Sequence, residues 1–263
     1  LHLRPGEQLI AEAGGLHEVM QWEKPITTDS GGYQVFSLGQ NVKIDPDGVT
    51  FRSPINGDEH RFTPESTIDV ERQLGADIIM PLDIATPFDA SESDIEQAVA
   101  QTIAWAKRCQ THHQKLESKE AKQALYGIVQ GGLVPSLRAE CAAALIELDF
   151  FGYSIGGELR DASGSRMDEG VAITVDHLPE DKPRYLMGSG SPVDVVRAVR
   201  RGVDHFDCVL PIRDARHGRL YRNLNHDELR ACLADTERPV TAAQLYETFN
   251  ISQASHASSR EVF

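Results

Sequence analysis

The sequence predicts an α/β fold of the (β/α)8 (TIM) barrel type, and three observations support this. The chain has 263 residues, which is close to the usual size of such a barrel. Short apolar segments alternate with longer segments of helical periodicity. Most of the short segments are continuous apolar runs, which is typical of strands buried on both faces of a parallel sheet.

Six core strands are predicted, so an eight-stranded barrel needs two more. The predicted strands are 25–29, 77–83, 125–130, 152–156, 184–188 and 206–210. The chain begins with Leu1 and not with a methionine, and we expect the two further strands to precede it. These observations predict a catalytic barrel domain over 1–222, incomplete at its N-terminus, and a divergent tail over 223–263 without a strand.

Helical segments separate the predicted strands. Ser93 and Glu96 have the spacing of a capping box at the start of a helix over 93–113. Apolar residues at helical spacing predict a second helix over 134–148, and a third is expected over 191–202. Residues 43–62 contain turn signals instead, and they predict a β-hairpin insertion.

Composition restricts the class of protein. No apolar run reaches the roughly 18 residues that a membrane span needs, so we expect no contact with a membrane. The four cysteines form no CxxC pair, which favours a reducing, cytoplasmic location without disulfides. The net charge of −14 argues against extensive nucleic-acid binding, but segment 205–222 carries four arginines against two aspartates and can bind an anion locally.

The residues that end the predicted strands lie where a barrel of this type has its active site. They are Asp29 in TTDSGGY, Asp83 in IIMPLD, Gln130 in YGIVQGG, Gly156 and Gly157 in YSIGG, and Met187 and Gly188 in RYLMGSG, while Asp207 lies within the sixth strand, in FDCVLP. One such aspartate is most often the cap of the following helix. Three of them with a glutamine, on strands that converge, favour a functional site.

These residue types indicate cleavage of a glycosidic bond. A pair of carboxylates can act as nucleophile and as acid/base, and the lack of nearby His or Cys ligands argues against a zinc hydrolase. Gln130 and Asp83 offer donors and acceptors to a purine edge. Tyr33 and Met187 are placed to cover the two faces of a flat base. The pattern therefore predicts an enzyme that acts on an N-glycosidic bond.

At these motifs the sequence resembles the queuine/guanine tRNA-ribosyltransferases, also called tRNA-guanine transglycosylases, of the bacterial type. The motifs stand in family order over roughly residues 1–222: LRPG, GGLH, TDSGGYQVFSL, GVTFRSPINGDEH, TPE, LGADIIM, WAKRC, GIVQGG, IGG, DKPRYLMG, GVDHFDCVLP and RDARHG. The resemblance implies a cytoplasmic transferase that exchanges a guanine at the tRNA wobble position for a 7-deazaguanine such as preQ1, in queuosine biosynthesis.

The resemblance also implies roles for individual residues. Asp207 would be the nucleophile that attacks the ribose C1′ and holds the tRNA covalently, and Asp29 the general acid/base. The residues expected to bind the base are Asp83, Gln130, Gly157, Tyr33 and Met187. Arg213 and Arg216 match family arginines and are expected to meet tRNA phosphates, whereas Arg219 and Arg222 are either binding residues or simply solvated. The family further implies tRNA, a 7-deazaguanine base and a homodimer as partners.

The sequence departs from the family pattern in three places. Ile84 and Ala85 follow Asp83 where bacterial members usually have Glu-Cys, and the loop around Glu158 and 161–162 also differs. Residues 223–263 hold Cys232 but no CxCxxC, so we expect no zinc or other cofactor. The alternatives left open are a non-catalytic tRNA-binding paralogue and a related enzyme that inserts a deazapurine elsewhere in tRNA or into DNA.

Overall fold

The computed structural model describes residues 1–38, 42–116, 123–157, 159, 167–223 and 226–251. The chain divides into two compact units, Leu1–Pro183 and Arg184–Phe263. Each unit has its own parallel strand pairing.

Unit 1, Leu1–Pro183, contains a small antiparallel sheet and a parallel sheet covered by helices. Its helices are α1 Glu7–Glu12, α2 Leu16–Met20, α3 Gly32–Phe36, α4 Pro64–Leu74, α5 Glu92–Leu116, α6 Pro135–Glu147 and α7 Met167–Val175. Its strands are β1 Val42–Asp45, β2 Gly48–Arg52, β3 Glu59–Phe62, β4 Ile78–Ile79, β5 Ala124–Val129 and β6 Gly152–Ile155.

The parallel sheet of unit 1 has β5 between β4 and β6. Ile78 pairs with Ala124 and Val129 pairs with Ile155, both in parallel register. A single parallel bridge between Thr27 and Ile78 adds the segment that precedes Asp29. All four residues of β6 and five of six in β5 are buried, as expected for strands covered on both faces.

Unit 2, Arg184–Phe263, continues the alternation of strand and helix. Its elements are β7 Arg184–Leu186, α8 Pro192–Val199, β8 His205–Phe206, α9 Leu210–Arg216, β9 Arg219–Asn223, α10 His226–Ala234, α11 Ala242–Leu245 and β10 Tyr246–Asn250. β7 and β8 pair in parallel on either side of α8 in the sequence. The βαβ order in both units confirms the predicted α/β class of barrel type. The strands expected before Leu1 stay a prediction, as do the predicted domain limits.

Several predicted strands are longer than the real ones. β4 covers Ile78–Ile79 where 77–83 was predicted, and β8 ends at Phe206 where 206–210 was predicted. Pro81 has no N–H to continue a ladder with. Pro211 lies in the first turn of α9, a position that proline favours. Asp83 therefore follows β4 after the irregular segment 80–82, whereas Asp207 comes directly after β8.

The insertion over 43–62 is larger than the single hairpin that was predicted. β1, β2 and β3 form a three-stranded antiparallel sheet in that order. The turn signals at 45–48 and 56–57 mark its two connections. The second connection is six residues long, from Ser53 to Asp58, and Ser53 N–H donates to the Asp58 carbonyl at 2.8 Å.

The capping of α5 also differs from the prediction. The helix begins at Glu92, and the cap is formed by Ser91 with Asp94, not by Ser93 with Glu96. Asp94 N–H donates to Ser91 Oγ at 3.2 Å, and Ser91 Oγ donates to Asp94 Oδ2 at 2.6 Å. The predicted three-residue spacing of the capping pair was correct, but the pair itself lies two residues earlier than predicted. The predicted helices over 134–148 and 191–202 are confirmed as α6 and α8, each one to three residues shorter at its ends.

The C-terminal segment has a strand that the sequence did not predict. β10 pairs with β9 in antiparallel register, from Tyr246 with Asn223 to Asn250 with Arg219. A small apolar cluster of Val196, Cys232, Val240 and Leu245 joins α8 to α10 and α11. Among the described residues, no helix has both the length and the apolar character that a membrane crossing needs.

Candidate active site

Asp29 lies where the first parallel segment of unit 1 turns into α3. Its side chain is exposed, and Ser30 N–H donates to Asp29 Oδ1 at 3.0 Å. Gly31, the residue before α3, has a φ of 84°, a left-handed conformation that glycine adopts at little cost. Tyr33 follows in the first turn of α3 and is 60% exposed, so its ring is accessible to a ligand.

Asp83 and Gln130 meet at the ends of β4 and β5. Gln130 Nε2 donates to Asp83 Oδ2 at 2.6 Å. Gly32 packs directly on the carboxyl group, because a Cβ at this position would stand 2.8 Å from Asp83 Oδ1. Burial, together with the neighbouring charge of Asp29, raises the pKa of Asp83 to about 7. The carboxyl groups of Asp29 and Asp83 therefore interact electrostatically.

The glycine pair after β6 packs against the amide group of Gln130. A Cβ on Gly156 would lie 2.8 Å from Gln130 Nε2, and one on Gly157 would lie 2.6 Å from Gln130 Oε1. Gly157 also has a φ of 83°, which disfavours any other residue there. Gln130 is 2% exposed, and its Oε1 has no partner among the described residues. Asp83 and the glycine pair thus fix the orientation of the Gln130 amide group at this corner.

Asp207 of unit 2 is held through one of its two carboxylate oxygens. Tyr185 Oη donates to Asp207 Oδ1 at 2.6 Å, and Gly188 N–H donates to the same oxygen at 2.7 Å. No described group of the same unit donates to Oδ2. Met187 lies between the two donors in sequence and is half-buried. The arrangement fixes the carboxylate while Oδ2 stays available.

Helix α9 is anchored through its one buried acid. Asp214 is 6% exposed, and Tyr221 Oη of β9 donates a very short hydrogen bond to its Oδ2. Arg219 NH1 lies 3.7 Å from Asp214 Oδ1. Burial, together with the hydrogen bond to Asp214, raises the pKa of Tyr221 to about 12. Tyr221 therefore stays protonated and ties α9 to the β9–β10 hairpin.

The four arginines of segment 205–222 fall into two classes. Arg219 and Arg222 are exposed but pair with acids, with Arg222 NH2 2.9 Å from Glu247 Oε2 on β10. Arg213 and Arg216 are exposed on α9 and pair with no acid among the described residues. Cations without a local counter-charge are the ones that gain most from a phosphate group. The ion pairs divide the four arginines in the same way as the resemblance does, and phosphate binding by Arg213 and Arg216 stays a prediction.

The predicted site residues therefore form two groups, one in each unit. Asp29, Asp83, Gln130 and Gly157 are linked by the contacts and charges described for unit 1, and Tyr33 stands one residue from Gly32. Asp207 and Met187 belong to unit 2. Glu158 and residues 161–162, where the base-recognition loop was expected to differ, lie outside the described residues.

Comparison with known proteins identifies the family. The family model described as queuine tRNA-ribosyltransferase matches residues 1–260. The chain belongs to the queuine tRNA-ribosyltransferase family. It is 51% identical over 221 residues to the queuine tRNA-ribosyltransferase of Thermoanaerobacter pseudethanolicus. These 221 residues are 84% of this chain and 58% of the relative.

Two further relatives bear the same name and match a similar share of this chain. The queuine tRNA-ribosyltransferase of Acinetobacter baylyi is 48% identical over 221 residues, covering 84% of this chain and 57% of the relative. That of Acetivibrio thermocellus is 50% identical over 218 residues, covering 83% and 57%. The chain thus spans less than two thirds of the length of these curated relatives.

Arg138 is a buried charged residue next to the candidate site that was not predicted from the sequence. It is fully buried on α6 and donates to the carbonyls of Gly132 at 2.6 Å and Gly156 at 2.9 Å. It also donates to Thr174 Oγ1 on α7 at 3.0 Å. Burial lowers the pKa of Arg138 to about 10, so the guanidinium is still charged near neutral pH. The sequence feature that could have identified Arg138 is its position beside Leu137 on the apolar stripe of a helix.

The second missed residue is Glu71, which is 1% exposed on α4. Its Oε1 accepts from Thr28 Oγ1 at 3.2 Å and from Met80 N–H at 3.1 Å. Position 71 continues the buried stripe of Thr67, Ile68 and Leu74, and an acid on such a stripe is the signal that could have found it.

The structural zinc ion that the family implies does not fit the described residues of this chain. Cys232 is fully buried in the apolar cluster with Val196, Val240 and Leu245. No group of three or more His, Cys, Asp or Glu that could hold a metal occurs in the described part of the chain. No step of the mechanism is therefore assigned to a metal. That the protein uses no cofactor stays a prediction.

Proposed function

We propose that this chain carries the catalytic site of a tRNA-guanine transglycosylase, which exchanges a guanine at the tRNA wobble position for a 7-deazaguanine such as preQ1. Its membership of the queuine tRNA-ribosyltransferase family supports this activity. The observation that carries the chemistry is the carboxylate of Asp207, held by Tyr185 Oη and Gly188 N–H through a single oxygen. A nucleophile needs one oxygen fixed and the other open, and Asp207 meets both conditions within its unit.

In the first half of the reaction, Asp207 Oδ2 attacks the ribose C1′ of the target nucleotide. The C1′–N9 bond breaks, its electron pair leaves with the guanine, and an ester forms between Asp207 and the ribose. Asp29 donates a proton to the departing base, which makes guanine a neutral leaving group. The exposed carboxyl group of Asp29 is accessible to such a base.

In the second half, the incoming 7-deazaguanine gives its N9 proton to Asp29. N9 then attacks C1′ from the side that guanine left, and the ester bond to Asp207 breaks with its electron pair returning to Oδ2. The two displacements leave the ribose configuration unchanged. Guanine leaves before the new base enters, so the kinetics are of the ping-pong type.

Base recognition is assigned to the polar corner of unit 1. An ionised Asp83 accepts from the N1–H and exocyclic amino groups of a guanine-type base, while Gln130 and the Gly157 N–H face its carbonyl oxygen. Tyr33 and Met187 stack on the two faces of the ring. Arg213 and Arg216 bind phosphates beside the target nucleotide. A cytoplasmic location and a homodimer remain expectations from the resemblance.

The deciding experiment follows labelled guanine into a tRNA whose anticodon begins G-U-N, and separates the products on denaturing gels. We expect label exchange and a covalent protein–RNA band, both absent from the Asp207→Asn variant, which keeps the shape of the side chain. Asp227→Asn removes an exposed acid of the same unit and should behave as wild type. Binding of tRNA without exchange would instead indicate a non-catalytic paralogue. Exchange at another guanine, or in duplex DNA, would indicate the related deazapurine-inserting enzyme.

A further inference from the structure

Glu71 lies where the parallel hydrogen-bond ladder between residues 26–28 and β4 stops. Ile78 N–H donates to the Ile26 carbonyl at 3.1 Å, and Thr28 N–H donates to the Ile78 carbonyl at 3.0 Å. The next bond of a parallel ladder would run from Met80 N–H to the Thr28 carbonyl. Met80 N–H donates to Glu71 Oε1 instead. The carboxyl group thus replaces the first missing bond of the sheet.

The same oxygen also binds the other strand end. Thr28 Oγ1 donates to Glu71 Oε1 at 3.2 Å, so one acceptor receives a donor from each of the two segments. Thr28 directly precedes Asp29 in the sequence, and Met80 precedes Asp83 by three residues. The bridge therefore lies one residue before Asp29 and three residues before Asp83.

Helix α4 holds Glu71 firmly enough for this task. Thr63 and Ser66 form a reciprocal capping box at its start, and Gly75 ends it in a left-handed conformation. Gln123 Nε2 donates to the Glu71 carbonyl at 3.2 Å and to the Ala76 carbonyl at 2.6 Å. Both ends of the helix and the backbone of Glu71 itself are therefore fixed.

We propose that Glu71 is a positioning residue, which sets the relative placement of Asp29 and Asp83 by bridging the two strand ends that carry them. This role deepens the transglycosylase function proposed above and rests on it. Glu71 has no direct part in the reaction, because its carboxyl group is buried and its partners are Thr28 and Met80.

The surroundings of the Glu71 carboxyl group favour its neutral form. Burial raises the pKa of Glu71 well above its usual range, and the charge of Asp29 adds to this effect. From α5, the facing titratable group is the Cys109 thiol, whose pKa burial also raises, so it carries no charge near neutral pH. Oε1 accepts two hydrogen bonds, which places the proton on Oε2, an atom without a partner among the described residues. A glutamine amide has the same layout of acceptor and donor.

Two uncharged variants of matched length separate the bridge from simple packing. Glu71→Gln keeps an oxygen acceptor, whereas Glu71→Met fills the same space without one. We expect Glu71→Gln to exchange guanine with a kcat close to that of wild type. For Glu71→Met we expect kcat to fall by about 10²-fold, the loss typical of catalytic groups displaced by about 1 Å, with an unchanged KM for tRNA. Equal activity of the two variants, whether high or low, would overturn the proposal.

The control for a general effect on α4 is Asp69→Asn. It removes an acid that lies on the same helix and pairs with His112 at the surface. We expect its kcat and KM to equal those of wild type. A loss as large as that of Glu71→Met would mean that any change in α4 disturbs the site, and would contradict a specific role of Glu71.

A second measurement does not depend on activity. Amide hydrogen exchange at Met80 reports the bond to Glu71 Oε1 directly, so protection should be kept in Glu71→Gln and lost in Glu71→Met. If wild type exchanges no guanine but Met80 behaves in this way, the proposed function fails and the bridge stands. If Met80 is equally protected in both variants, the bridge is refuted whatever the activity.

Discussion

Removal of the Tyr185 hydroxyl tests whether its hydrogen bond holds the Asp207 carboxylate in place. Tyr185→Phe deletes one of the two hydrogen bonds to Oδ1 and leaves the ring, which contacts His205, in place. A hydrogen bond to a charged group contributes about 1.5–3 kcal/mol, so we expect kcat for guanine exchange to fall about tenfold or more, with little change in the KM for tRNA.

The matched control for this change is Tyr246→Phe. Tyr246 lies in the same unit and makes an edge contact with Tyr221, away from Asp207 in the sequence. Its kcat should equal that of wild type. If Tyr185→Phe is as active as wild type in single-turnover assays, the hydroxyl does not hold the nucleophile.

The raised pKa of the Asp83 carboxyl group leads us to expect that base binding depends on pH. Its pKa, raised to about 7 by burial and by Asp29, means that it is protonated below pH 7 and ionised above it. The donors of a guanine-type base need the ionised form. We therefore expect the KM for guanine to rise as the pH falls from about 8 to about 6, over the range in which Asp83 takes up its proton.

This dependence is measured from guanine KM values across that pH range in wild type and in Asp83→Asn. The variant cannot titrate, so its KM should be higher and flat over the range. A wild-type KM that does not change with pH would show that Asp83 keeps one charge state throughout, contrary to the environment described for it.

Residue types at strand ends were predictable from the sequence, while residues inside helix stripes were not. Asp29, Asp83 and Gln130 follow apolar runs, and the carboxyl ends of parallel strands meet at one edge. Glu71 and Arg138 lie on apolar stripes of α4 and α6, where periodicity shows which face a residue occupies but not which partner it meets. A buried charge on such a stripe needs a partner, and its identity depends on contacts between distant segments.

At the scale of elements, Arg138 links α6 to the loops after β5 and β6. Its guanidinium donates to four acceptors: the carbonyls of Gly132, Gly156 and Val129, and Thr174 Oγ1. Arg138→Met would leave these buried groups without their donor. Because an unsatisfied buried polar group costs about 1–3 kcal/mol, we expect the free energy of unfolding to fall by about 3 kcal/mol or more.

Urea unfolding checks this expectation, with Arg138→Lys and an exposed arginine as comparisons. Lysine keeps the charge but lacks the planar guanidinium that reaches all of these acceptors, so it should restore part of the loss. Arg230→Met, on the exposed face of α10, should leave the midpoint unchanged. An Arg138→Met protein as stable as wild type would show that the loops do not depend on the guanidinium.

Element order was predictable, but element length was not. Alternating apolar runs and helical stripes gave the βαβ order of both units. Pro81 and Pro211 shortened two predicted strands, because apolar character continues past the point where the backbone leaves the sheet. β10 was missed because YETFN shows no apolar alternation: one face carries Tyr246, Thr248 and Asn250, and the other carries Glu247 and Phe249. It pairs with β9, which is more than twenty residues away in the sequence.

At the scale of the whole molecule, the charge of the chain opposes its proposed substrate. A net charge of −14 repels a polyanion, so tRNA binding must depend on local cations. Arg213 and Arg216 are exposed on α9 and have no acid partner among the described residues, whereas Arg219 and Arg222 are paired with Asp214 and Glu247. The two pairs of arginines carry equal formal charge, but they should differ in how strongly they bind a phosphate group.

This difference predicts unequal salt dependence of tRNA binding for two double variants with the same net charge. Each phosphate contact contributes about 0.7–0.9 to the slope of log affinity against log salt, so Arg213→Gln with Arg216→Gln should lower the slope by about 1.5. Arg219→Gln with Arg222→Gln should change it far less, because those side chains already have counter-charges. Affinities measured by filter binding across a potassium chloride series give both slopes. Equal reductions in the two variants would mean that net charge, and not the placement of Arg213 and Arg216, governs how this acidic protein holds tRNA.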